Sequence, residues 1–90
     1  MDKVRKHFIF YGAVQGVGFR YRAYHAARTF NVTGWVRNLS DGTVEMEAEG
    51  LSEDIDSMLL YVEKGTFVRI ENLRVKDIPL KNGYSFEIRD

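Results

Sequence analysis

The sequence predicts an α+β sandwich, with two helices on one face of an antiparallel sheet of four or five strands. Three observations carry that expectation. From Thr43 to Glu49 the chain alternates strictly, with Val44, Met46 and Ala48 on one side and Glu45, Glu47 and Glu49 on the other. That is the period of a strand with one packed and one wet face. Phe19, Ala23, Ala26, Ala27 and Phe30 form a stripe at helical spacing, and a second stripe of Ile55, Leu59 and Val62 lies between Ser52 and Gly65.

In chain order, residues 6–11 form a first strand, apolar on both faces and therefore expected inside the sheet. Phe19 to Phe30 is a helix whose small alanines allow a close approach to the sheet. Asn31, tolerant of the left-handed region, stops it. Val32 to Asn38 is a second strand, and Asp41-Gly42 turns it into the alternating third. Gly50 is expected to break that strand. Ser52 is a suitable N-cap, Glu53 and Asp54 suit the first turn, and Lys64-Gly65 closes the second helix. Val68 to Lys76 is a fourth strand, Pro79 and Asn82-Gly83 lie in a loop, and Tyr84, Phe86 and Ile88 alternate as a short last strand. The order βαββαβ is the ferredoxin-like layout.

The 90 residues make one domain, 1–90, of a size that can hold a core without metal or disulfide. An apolar fraction of 44% and a charged fraction of 29% place it among ordinary globular chains. The chain has no cysteine, which excludes thiolate chemistry, and its first apolar run is too short for a signal peptide or membrane span. A cytoplasmic location is the expectation. Net charge is zero, but its distribution is uneven. Between Lys3 and Ser40 there are seven Lys or Arg and no acid, so a local anion site fits better than bulk attraction to nucleic acid.

That acid-free stretch contains Gly12-Ala-Val-Gln-Gly-Val-Gly-Phe-Arg20, a glycine-bearing loop between a strand and a helix start. The first N–H groups of a helix have no internal partner and the dipole is positive there, so such a loop can cradle an anion. Arg20 and Arg22 would sit badly against that dipole unless negative charge arrives as a ligand. Neither the P-loop nor the dinucleotide fingerprint is present. The reading is a cradle for a small phosphate, without nucleotide, metal or other cofactor. A second constellation is Gly34-Trp35-Val36-Arg37-Asn38. Asn38 is either a turn residue capping backbone groups or an amide that holds a water by donor and acceptor contacts.

The segment from Gly12 to Arg20 resembles the first signature of the acylphosphatase family. The segment Gly34-Trp-Val-Arg-Asn38-Leu-Ser-Asp-Gly42-Thr-Val44, ending at Gly50, resembles its second. Tyr84-Ser-Phe86-Glu-Ile88 is similar to the family's last strand, so the resemblance spans nearly the whole chain. It implies hydrolysis of acyl phosphates to carboxylate and inorganic phosphate without metal. Gln15, Gly16, Val17, Gly18 and Phe19 with Arg20 would hold the phosphate, and Asn38 would orient the attacking water. Arg20 and Asn38 are the implied catalytic residues. The partners implied are a small acyl phosphate and inorganic phosphate or sulfate, with no nucleic acid or membrane, on a monomer. One departure is Thr66-Phe67-Val68-Arg69, shorter and more apolar than the family's usual loop before an arginine, which bears on substrate preference.

The chemistry agrees with the residue inventory. The leaving carboxylate has a conjugate acid of pKa about 4, so no tuned general acid is needed. Positioning and charge stabilisation suffice for a loose phosphoryl-transfer transition state. His7 and His25 lack a third ligand at metal spacing, and Arg22 and Arg28 read as solvated helix residues. Arg37 reads as a surface partner of an acid, and Glu45, Glu47 and Glu49 as a solvated face. Tyr11, Tyr21, Tyr24 and Trp35 read as packing or pocket walls. Two other readings stand beside the enzyme. One is a non-catalytic or transfer-type domain of the same family that binds carbamoyl phosphate or another phosphorylated ligand. The other is an RNA-binding βαββαβ module, disfavoured by the glutamates and by the lack of the aromatic RNA-recognition motif.

Overall fold

The computed structural model describes residues 2–90. The elements are β1 (Lys3–Ala13), α1 (Phe19–Thr29), β2 (Thr33–Asn38), β3 (Val44–Leu51), α2 (Ser52–Glu63), β4 (Arg69–Ile78) and β5 (Phe86–Arg89). They form one five-stranded sheet in the order β4-β1-β3-β2-β5. Neighbours are antiparallel, as expected, except the edge pair β2 and β5, which runs parallel. Among the described residues no helix is long and apolar enough to cross a membrane.

One face of the sheet carries the core. Phe8, Phe10, Val36, Val44, Met46 and Ala48 meet Phe19, Ala23, Ala26 and Ala27 of α1 and Ile55, Met58 and Val62 of α2. Met58 takes a fully buried place in the α2 stripe, while Leu59 packs at its margin. Helix α1 ends as expected, with Asn31 at φ 56°. Other boundaries differ. Gly50 does not break β3, because β1 begins three residues earlier than its apolar run and pairs Val4 with Gly50 and Lys3 with Leu51. The N-cap of α2 is Leu51, not Ser52, and no side chain caps it. β1 is interior, but its second face is uncovered by helices and holds half-buried His7 and Ile9.

On that second face the glutamates are not solvated, contrary to expectation. Arg5 pairs with Glu47 at 2.8 Å and with Glu49 at 3.1 Å, and Glu49 is only 2% exposed. Glu45 bonds to His7 and to Arg37, each at 2.7 Å. The topology explains why Glu49 is covered. β4 and β5 are opposite edges, so the chain between them must cross the sheet. Glu49 pins the crossing by accepting the backbone N–H groups of Lys81 at 2.7 Å and Asn82 at 3.0 Å. Burial pushes the Glu49 carboxyl upward, but hydrogen bonds from Lys81 and Arg5 outweigh it and hold the group below its ordinary value.

Candidate functional site

The site forms where β1 ends and α1 begins. A bulge at Tyr11 and Gly12 bends β1 out of its ladder. Residues 14–18 then turn the chain back over the sheet. Gly16 and Gly18 have φ of 71° and 79°, which glycine adopts without strain, and Gly18 is the N-cap of α1. No side chain caps this helix and its first turn holds no acid. The first helical bond is from Arg22 N to Gly18 O, at 3.0 Å. Among the described residues the N–H groups of 15–21 donate to no protein acceptor. Phe19 fixes this end of the helix by packing on Phe10, ring centroids 4.8 Å apart.

Arg20 follows at the start of α1. It is half-buried and makes no ion pair or hydrogen bond among the described residues. Arg22, one turn side away, behaves differently from the solvated residue expected. Its guanidinium lies 4.3 Å over the Tyr61 ring and donates to Tyr61 O at 2.5 Å, satisfying a carbonyl in the last turn of α2. α2 has no basic residue of its own there. Arg28 bonds to the Tyr24 hydroxyl.

Asn38 is the last residue of β2. It sits opposite Val44 and on the same face as Val36, the face covered by the helices. Its Oδ1 is buried and accepts no hydrogen bond, an arrangement that demands a reason in a folded protein. The adjoining hairpin is closed by Leu39 N to Thr43 O at 2.9 Å and Gly42 N to Leu39 O at 3.2 Å. Asp41 accepts Thr43 Oγ1 at 2.6 Å and Thr43 N at 3.0 Å, and the Thr43 hydroxyl chiefly holds its carboxyl below the ordinary value. Turn capping therefore falls to Asp41, not Asn38.

The sequence reading missed one connection. Gln15 Nε2 donates to Leu39 O at 2.7 Å and to Thr43 O at 2.8 Å, bolting the glycine loop to the hairpin that follows Asn38. The Gln15 side chain is thus committed to the protein. Nothing local signals this, since the partners lie 24 and 28 residues away.

A cleft of about 310 Å³ is lined by Val14, Gly16, Gly18, Phe19, Arg20, Tyr21, Asn38 and Ile88. It brings together Gly16, Gly18, Phe19, Arg20 and Asn38 of the expected site and leaves Gln15 and Val17 off its wall. Arg20 is its one charged lining residue and no acid enters. No group of three or more His, Cys, Asp or Glu placed to hold a metal occurs among the described residues.

Comparison with known proteins decides the family. The acylphosphatase family model matches residues 6–88. The chain belongs to the acylphosphatase family. The acylphosphatase of Bifidobacterium longum is 42% identical over 78 residues, 86% of this chain and 80% of that one. That of Thermococcus kodakarensis is 44% identical over 77 residues, 84% and 85% of the two chains. The crystal structure of acylphosphatase from Bacillus subtilis superposes with a TM-score of 0.89 at 34% identity, covering 97% of this chain and 99% of that one. A segment of T. kodakarensis HypF, 12% of its chain, matches 94% of this one with a TM-score of 0.79 and 35% identity. The acylphosphatase fold therefore extends over nearly the whole chain, and the cleft lies inside the matched region.

Proposed function

We propose that this enzyme hydrolyses acyl phosphates, with the phosphate seated in the 15–20 loop and the water held by Asn38. One observation carries the reading: an arginine without an acidic partner and Asn38, whose amide oxygen has no protein partner, line one acid-free cleft. Free N–H groups of Gly16, Gly18 and Phe19 and the forked guanidinium of Arg20 suit the oxygens of a phosphoryl dianion. The Asn38 side-chain amide holds the water by hydrogen bonds and aims its lone pair at phosphorus. The P–O bond to the acyl oxygen breaks as the new P–O bond forms, and its electron pair leaves on the carboxylate. Asn38 is not basic, so the water's proton passes to a phosphoryl oxygen. A carboxylate leaves unprotonated, and the transition state is loose, so neither a general acid nor a metal is required. Inorganic phosphate, the product, and sulfate would compete for the same seat.

The test is hydrolysis of benzoyl phosphate in the presence of chelator. Turnover is expected, and Asn38→Ala should lower kcat by about 10²–10³ with little change in KM. Full activity in Asn38→Ala would remove the water-positioning role. A second reading, a domain that binds a phosphorylated ligand without hydrolysing it, draws on the likeness to the HypF segment. Absence of turnover with tight phosphate binding would favour it.

A further inference from the structure

The cleft is larger than its phosphate end, and its remaining walls differ in character from that end. Val14 and Phe19 form a buried floor at 1% and 2% exposure. Tyr21 and Ile88, at 64% and 42% exposure, are the lining side chains that present apolar surface to solvent. Both stand on rigid elements. The Tyr21 ring stacks on His25 one turn along α1, centroids 4.9 Å apart and planes within 21°, which limits its rotamers. Ile88 lies in the parallel ladder opposite Val36, so it shares the helix-side face with Asn38 two residues further along β2. A volume of about 310 Å³ suits a small organic ligand rather than a phosphate alone. Apart from Arg20, no charged side chain lines the cleft, so a charged acyl group would find no partner of its own.

We propose that Tyr21 and Ile88 form the wall that receives the acyl group, and that the enzyme favours acyl phosphates whose acyl part is aromatic or a bulky hydrocarbon. This rests on the hydrolytic reading above and adds a substrate class to it. The experiment compares kcat/KM for benzoyl phosphate and acetyl phosphate, so that their intrinsic reactivities cancel in each wild-type-to-variant ratio. Tyr21→Ala and Ile88→Ala should each lower the benzoyl-to-acetyl preference by about tenfold, the scale of one apolar pocket contact. Tyr21→Phe should preserve it, since the ring and not the hydroxyl forms the wall. The inhibition constant for inorganic phosphate should stay at its wild-type value in all three. An unchanged preference in both alanine variants, or an equal loss on both substrates, would overturn the acyl-wall assignment. A wild-type enzyme inactive on both substrates would instead overturn the hydrolytic reading itself.

Discussion

Replacing Gln15 by methionine keeps the length of the side chain and removes the two bonds that join the glycine loop to the hairpin after Asn38. The cost can be worked from what each carbonyl retains. Leu39 O keeps the N–H of Gly42 and Thr43 O keeps the N–H of Leu39, so neither becomes a buried orphan. The loss is then the net value of two ordinary hydrogen bonds, about 1–3 kcal/mol of folding stability. The larger effect is on geometry. Arg20 is carried by α1 and Asn38 by β2, and Gln15 is the side chain that ties the loop of the first to the hairpin of the second. A displacement of about 1 Å between bound phosphate and water lowers turnover by about 10²-fold. Urea unfolding of Gln15→Met should therefore show a modest drop, while kcat for benzoyl phosphate falls by about 10² and phosphate inhibition changes little. A variant with wild-type kcat would refute the bolt, whatever its stability.

Two further outcomes follow from contacts outside the cleft. Arg22→Met should destabilise the fold by about 2 kcal/mol, through loss of a charged donor on Tyr61 O, without a matching loss of turnover. Turnover falling as for an Arg20 substitution would place Arg22 in the site. Glu49→Gln should lower stability at neutral pH by about 3 kcal/mol, since Arg5 then keeps only Glu47 as an ionic partner. The Glu49 carboxyl is depressed from 4.5 in the folded state, so its contribution is present above that pH and is lost as pH falls below it. The gap between wild type and variant, measured by urea unfolding across pH 3–7, should close on the acid side, and a gap independent of pH would contradict the assignment.

Local chemistry made most of the architecture legible in the sequence. The alternation of Val44, Met46 and Ala48 located β3, the alanine stripe located the packed face of α1, and the glycines of the first loop located the cleft. What stayed hidden depends on partners distant in sequence. The glutamates of β3 look like a solvated face until β1 brings Arg5 and the β4–β5 crossing brings Lys81 and Asn82. Gly50 looks like a strand end until its register with Val4 is known. Arg22 looks like a surface cation until α2 delivers Tyr61. In the candidate site, Arg20 stands out locally by its charge at a helix start, whereas Asn38 stays open between a turn residue and a water-holding amide until the family resemblance singles it out. Gln15 breaks no local rule, and Ile88 becomes a neighbour of the site only through the packing of α1 on β5, whereas Tyr21 follows Arg20 in the chain.

The central claim is that main-chain amides at the start of α1 and the Arg20 guanidinium hold a phosphate. Titrating inorganic phosphate while following backbone amide resonances tests it most directly. Saturable shifts should concentrate at Gly16, Gly18, Phe19 and Arg20 and vanish in Arg20→Ala. Shifts centred elsewhere on the sheet, or binding indifferent to the loss of that guanidinium, would contradict the account.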